Sequence, residues 1–223
     1  MRKLIFGKKY IQPADFQPAD LNNSLFINNV ATPVLMNGIV TRTTDHKGGN
    51  TAIQFGRGNL YSVDNLPTSP IWSIAFWMKT TQLTVGILAE LSENFNNNRP
   101  GFLVDINEYT QNKMIAAMNV PSSYKLKSPL GTNINGGDWQ HIVIILNRNE
   151  TGDNEIKIFK NKEQLVLSTV TYNAEMSDDF LSRKIFIGGR GTSYQYPFIG
   201  ATSPFKLFNY PLTQTEIDNL YNE

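Results

Sequence analysis

The run WSIAFWMKT, Trp72 to Thr80, places Trp72, Ile74, Phe76 and Met78 on one side of an extended chain and Ser73, Ala75, Trp77 and Lys79 on the other. A period of two belongs to a strand with one face against a core. Short runs of the same kind, rich in Val, Ile, Phe, Tyr, Trp and Thr, recur between clusters of Gly, Asn, Asp and Pro, and helical periodicity is almost absent. The pattern predicts an all-β fold, a two-sheet antiparallel β-sandwich. Strands are expected near 24–27, 39–43, 51–55, 60–63, 72–80, 85–92, 102–106, 114–120, 141–146, 155–160, 165–171, 184–187 and 202–208. The polar stretch NRNETGDN, 147–154, predicts a hairpin. KNKE, 160–163, predicts a second tight turn, with Asn161 left-handed and Lys162 where glycine usually follows. One helix is expected, in PLTQTEIDNLYNE at the end, where Thr213 and Glu216 have capping-box spacing.

Composition removes several function classes. Twenty basic residues against 19 acidic leave a formal charge of +1, with no basic run to track a phosphate backbone, so no nucleic-acid partner is expected. The absence of cysteine excludes disulfides, thiolate metal sites and cysteine nucleophiles; the only histidines are His46 and His141. No segment approaches the roughly 20 apolar residues of a membrane helix, and no membrane insertion is expected. The opening MRKLIFGKKYIQ starts like a signal peptide, but its apolar core of Leu4, Ile5 and Phe6 is closed at once by Gly7, Lys8 and Lys9.

Residues 1–23 read differently from 24–223. They carry a tandem QPADFQPAD in which Pro13 and Pro18 oppose a central strand. Two readings stand: a disordered tail, or an extended arm that orders on a protein partner through Leu4, Ile5, Phe6 and Phe16.

Six phrases then occur in order: GGNTAIQFGRGNLYSVDN (48–65), WSIAFWMKT (72–80), GDWQHIVIIL (137–146), EIKIFKNKEQL (155–165), IFIGG (185–189) and YPFIGATSPFKLFNYPLTQTEIDNLY (196–221). The ordered set resembles the laminin G-like, concanavalin A-like jelly-roll superfamily of lectin and glucanase type, from about Ser24 to the C-terminus. The resemblance implies two antiparallel sheets, one concave, with ligands held by rim loops or on the concave sheet. It also matches His141 to the histidine of the family's W-x-H phrase, found in members without catalytic activity. His141 is therefore expected to be a packed, hydrogen-bonded strand residue.

A glycoside hydrolase on this fold would need an acid and a nucleophile on one strand face, about 5 Å apart in a retaining enzyme. In DINE, Asp105 and Glu108 fall on opposite faces of a regular strand, and no Gly-x-Ser-x-Gly elbow occurs, so no catalytic residue is expected. Calcium, which the resemblance also raises, takes six to eight oxygens. The loop GGRGTSYQYP, 188–197, has no acid, which leaves at most a weak site on Asp64, Asp105 or Asp178 and Asp179; no metal and no cofactor are expected. Sugars are gripped by aromatic faces and by planar amides or arginine. The loops offer Asn96, Asn97, Asn98, Arg99, Tyr109, Tyr124, Arg190, Tyr194, Gln195 and Tyr196 for this purpose, and a glycan or cell-surface polysaccharide is the expected ligand. With no visible signal, the expected carrier is a virion, the module being a phage capsid decoration, head-fibre or tail-associated protein docked on virion proteins by its arm. The alternative is a bacterial surface or secreted lectin domain.

Overall fold

In the computed structural model of the chain, the described residues are 24–27, 30–37, 41–57, 60–63, 66–91, 94–95, 100–108, 111–120, 123–129, 133–171, 178–191 and 195–223. The expected arm and its anchors Leu4, Ile5, Phe6 and Phe16 lie outside them. The strands are β1 (Ser24–Ile27), β2 (Val30–Asn37), β3 (Thr41–Thr43), β4 (Ala52–Phe55), β5 (Leu60–Val63), β6 (Ile71–Lys79), β7 (Gly86–Leu91), β8 (Gly101–Ile106) and β9 (Met114–Val120). They continue with β10 (Ser123–Pro129), β11 (Gln140–Asn147), β12 (Ile156–Lys160), β13 (Glu163–Gln164), β14 (Leu167–Thr171), β15 (Ile185–Ile187), β16 (Gly200–Thr202) and β17 (Lys206–Phe208). Among the described residues one α-helix, α1 (Gln214–Asn222), follows.

Sheet A is built on β6. Its full length pairs antiparallel with β11, from Gln140 opposite Met78 to Asn147 opposite Ile71, and β12 and β13 extend that side. The other side of β6 is shared by β16, which leads to β4 and β3, and by β17, which pairs in parallel with β1. Sheet B runs β2, β5, β15, β7, β8, β9, β10, β14, antiparallel throughout.

The expected faces of β6 hold. Trp72, Ile74, Phe76 and Met78 join Ile142, Ile144 and Leu146 of β11 in the core, facing Leu88, Leu91, Phe102, Val104, Met114 and Ala116 of sheet B. Phe76 stacks on Phe205 with ring centroids 4.3 Å apart. Each such side chain taken wholly out of water contributes about 2 kcal/mol, so this layer is the main source of stability. The strand β11 is buried on both faces, because Val143 and Ile145 point outward into a second cluster with Ala75, Phe159 and Phe208, roofed by Leu212, Ile217 and Leu220.

The roof depends on the expected capping box. The Thr213 hydroxyl accepts from the Glu216 amide, and the Glu216 carboxylate accepts from the Thr213 amide at 2.8 Å. Thr213→Ala is expected to cost about 1 kcal/mol, read as a lower urea midpoint with an unchanged slope. The tight turn also forms as expected, and both central residues are left-handed, Asn161 at φ 49° and Lys162 at φ 77°.

Three strand expectations change. The strand β2 was hidden by Pro33, which is tolerated because it sits where β2 hands over from β1 in sheet A to β5 in sheet B. The expected strand 202–208 is broken at Pro204 into β16 and β17, with Trp77 bonding Ser203 between them. The polar SYKLKSP, whose Tyr124 is expected on a loop, forms β10.

Candidate functional site

The outer face of sheet B carries the charged groups. On β7 the side chains of Leu88 and Leu91 enter the core, whereas Glu90 is completely buried on the opposite face. One of its carboxylate oxygens, Oε1, accepts from the Phe95 amide at 2.6 Å and from Nε and Nη2 of Arg190, both at 3.2 Å. Its other oxygen accepts from Arg190 Nε at 3.3 Å. One carboxylate thus fastens two loops, the one following β7 and the one following β15. Burial outweighs these bonds and holds the Glu90 carboxyl above its ordinary value.

Asp105 on β8 lies on the same face and is 1% exposed. A regular strand sets Glu108 on the opposite face. The strand instead ends at Ile106 and Asn107 takes φ 65°, which breaks the regular alternation and leaves Glu108 near enough for its charge to act on Asp105. Burial first, and then the neighbouring Glu108 and the charge of Glu90, push the Asp105 carboxyl well above the ordinary value, with only Arg190 opposing. Asp105 Oδ1 has no hydrogen-bond partner.

The loop after β15 crosses this face. Gly191 is required there, since a Cβ would meet the Phe186 ring at 2.4 Å. Tyr196 has φ 54°, unusual for a bulky residue, and its carbonyl accepts from the Ile87 amide at 2.8 Å. Its ring is 44% exposed and lies over the Arg190 guanidinium, 5.2 Å from ring centroid to Cζ. Beside it, Gln82 is buried and spends its amide on the loop: Nε2 donates to the Pro197 carbonyl at 3.0 Å, and Oε1 accepts from the Ile199 amide at 2.7 Å. Asn107 Nδ2 in turn donates to the Gln82 carbonyl at 2.9 Å. The polar residue is inside while its neighbour Leu83 is 56% exposed and Ile199 39%.

Of the ten expected ligand residues, Arg190, Gln195 and Tyr196 come together on this loop; Gln195 and Tyr196 are exposed, and Arg190 is turned inward to Glu90. Tyr124 is on β10 opposite Asn119, its side chain outside the description. Asn96, Asn97, Asn98, Arg99, Tyr109 and Tyr194 lie outside the described residues. Sequence reasoning missed Glu90, whose signal was one carboxylate inside the apolar run GILAEL.

The two histidines meet on the other sheet. His46 stacks on Trp77 with centroids 4.0 Å apart, and Trp77 touches His141 and Tyr221, each at 5.2 Å. His141 is packed as expected, but its Nδ1 has no hydrogen-bond partner, because an aromatic cage surrounds it. Burial, with the nearby His46, lowers its pKa to about 4. An imidazole with no carboxylate or hydroxyl partner has nothing to activate.

Nor do these residues fit a divalent cation. Among the described residues no group of three or more His, Asp or Glu is arranged to hold a metal, and the best-placed carboxylate, Glu90, is already bound by a guanidinium.

No protein of curated function matches the chain in sequence. Among solved structures, domain 4 of AbnA, a GH43 extracellular arabinanase from Geobacillus stearothermophilus in complex with arabinotriose, superimposes with TM-score 0.62 at 15% identity, covering 91% of this chain and 94% of that one. A heptameric SAP-like pentraxin from Limulus polyphemus gives TM-score 0.59 at 14% identity, covering 76% and 81%. The botulinum neurotoxin serotype G binding domain gives 0.60 at 16%, covering 86% of this chain but only 46% of that one. At these identities the likeness is one of fold. The family model of the concanavalin A-like lectin/glucanases superfamily matches residues 47–218. With two antiparallel sheets, a short terminal helix and this match over most of its length, the chain belongs to the concanavalin A-like lectin/glucanases superfamily.

Proposed function

We propose that the domain is a non-catalytic binding module that recognises a glycan at the rim of sheet B, with Tyr196 as its platform. The observation that carries the reading is the setting of Tyr196: a bulky residue in a left-handed conformation, its ring exposed and braced from below by the buried Arg190–Glu90 pair. Backbone strain that displays an aromatic face to solvent is hard to explain by packing, and aromatic faces are what pyranose C–H groups stack on. Gln195 stands next to it, exposed, with an amide suited to hydroxyls. The company of folds supports the reading: the arabinanase domain was captured with arabinotriose, and cell entry of botulinum neurotoxin type C is described as dependent upon interaction with two ganglioside molecules.

The carboxyls support a non-catalytic role. Asp105 is sealed from solvent, where no glycosidic oxygen reaches it for the acid or nucleophile step of a hydrolase.

The test is a glycan array, with arabinotriose added as a named oligosaccharide. Tyr196→Ala is expected to weaken the strongest array signal about tenfold or more, equivalent to about 1.4 kcal/mol, with an unchanged circular dichroism spectrum. Tyr196→Phe should keep most of the signal, since stacking needs the ring and not the hydroxyl. Equal binding by wild type and Tyr196→Ala would remove the site. For the carrier, we propose a virion surface reached through residues 1–23. Capsid, portal or tail genes beside this one would support it, and their absence would favour the surface lectin.

A further inference from the structure

Three of the five large apolar side chains exposed among the described residues, Leu83, Tyr196 and Ile199, belong to two segments that hydrogen bonds hold side by side. The Thr80 hydroxyl donates to the Ile199 carbonyl at 2.7 Å. Gln82 accepts from the Ile199 amide at 2.7 Å and donates to the Pro197 carbonyl at 3.0 Å. The Ile87 amide completes the seam on the Tyr196 carbonyl. Gly86 leaves the room that this needs, since a Cβ there would meet both amide atoms of Gln82 at 2.8 Å. The seam inverts the usual order, with the amide of Gln82 inside and the neighbouring leucine in water. Single exposed apolar residues are ordinary, whereas a group of them marks a contact surface.

The aliphatic part of this group differs in chemistry from the platform. An aromatic face stacks on the C–H groups of a pyranose. Leucine and isoleucine have no such face and no polar atom. A sugar hydroxyl set against them gives up water for no hydrogen bond, whereas a methyl group gains by leaving water. Arg190, the cation under Tyr196, is already bound to Glu90 and so does not favour an acidic sugar. We propose that the Tyr196 site selects a sugar that carries a methyl group, as a 6-deoxyhexose or an acetylated sugar does. The methyl rests on Leu83 and Ile199 while the ring stacks on Tyr196. This inference rests on the proposed glycan reading and gives it a ligand class, with Leu83 and Ile199 as the specificity-determining residues.

The experiment uses the full chain on a glycan array that includes matched pairs on one linker: L-rhamnose with L-mannose, L-fucose with L-galactose, and N-acetylglucosamine with glucose. The methyl-bearing member of at least one pair should bind about tenfold more tightly, the lower end for one methyl group in an apolar pocket. The deoxy and acetyl pairs distinguish the two sources of the methyl. Saturation-transfer NMR of that ligand should show its methyl protons among those most strongly saturated. Leu83→Ser combined with Ile199→Ser changes only exposed side chains. It should bring the two members of the pair level, with binding of the hydroxylated member unchanged, whereas Tyr196→Ala should weaken both. The inference alone is overturned, with Tyr196 left standing, if the members of every bound pair bind alike, if the preference survives the double substitution, or if the strongest ligands on the array carry no methyl group. A blank array overturns the glycan reading and the inference together. Sedimentation covers a second copy of the chain as occupant: a wild type that dimerises beside a double variant that does not would assign the patch to that contact and overturn the inference.

Discussion

Glu90→Ala is expected to destabilise the domain by about 3–5 kcal/mol, the range for breaking a buried ion pair from one side. Two partners are stranded together. The Arg190 guanidinium, with a side chain only 10% exposed, loses its counter-ion, and the Phe95 amide loses its acceptor. Glu90→Gln should cost much less, because an amide oxygen can still accept from Phe95 and Arg190. The pair itself is not a large source of net stability, as burial already holds the Glu90 carboxyl above its ordinary value. Its worth is in geometry: it ties both loops to β7, the second of them held as well by Gln82 and by the Ile87 amide. A double-mutant cycle checks this, since removing Arg190 as well leaves no orphaned charge. The Glu90→Ala, Arg190→Ala pair should therefore be no less stable than Glu90→Ala alone in urea titrations. A Glu90→Ala loss below about 1 kcal/mol would mean that solvent reaches the pair and that the loops are held by something else.

The same contrast explains what could be read from the sequence. Where a residue's role is set by its neighbours along the chain, it was legible. The alternation of β6, the Asn161 turn and the Thr213–Glu216 cap each need only a few consecutive residues, and each formed as expected. Where the role depends on a partner far away, it was not. Arg190 looks like a sugar ligand until Glu90 is seen under it, and nothing near His46 in the chain tells that Trp77 lies against its ring. Intermediate cases turned on one backbone angle. A regular strand puts Asp105 and Glu108 on opposite faces, and the left-handed Asn107 breaks that alternation so that the charge of Glu108 reaches Asp105. The rim aromatics were legible as an inventory, and Tyr196 was singled out only by its φ and by what lies beneath it.

The second large effect is an acid lability written into sheet A. His141 is 2% exposed and titrates at about 4 in the folded chain, against about 6.5 when unfolded. Between those values the unfolded chain binds the extra proton, so stability rises with pH there. The contribution is complete above about pH 6.5, is lost as pH falls toward 4, and levels off below. At about 1.4 kcal/mol per unit, the shift implies a loss of about 3 kcal/mol. His46 acts in the same direction, its value lowered by burial and by Lys47 against the opposing charge of Asp45. The buried carboxyls of Glu90 and Asp105 act the other way, because raised values favour the folded state on acidification. The measurement must therefore be a difference. The stability of wild type minus that of His141→Leu, from urea unfolding, should fall by about 3 kcal/mol between pH 7 and pH 4; a constant difference would show that the imbedded imidazole is protonated without cost. The weakening has a definite place in the fold, because His141 packs on Tyr221 in α1, whose Ile217 and Leu220 roof the outer cluster of sheet A. A charge at His141 thus acts first on the seam between sheet and helix, and the protection factors of α1 amides, which allow for the intrinsic slowing of exchange in acid, should fall with acid before those of β6 or β11 do.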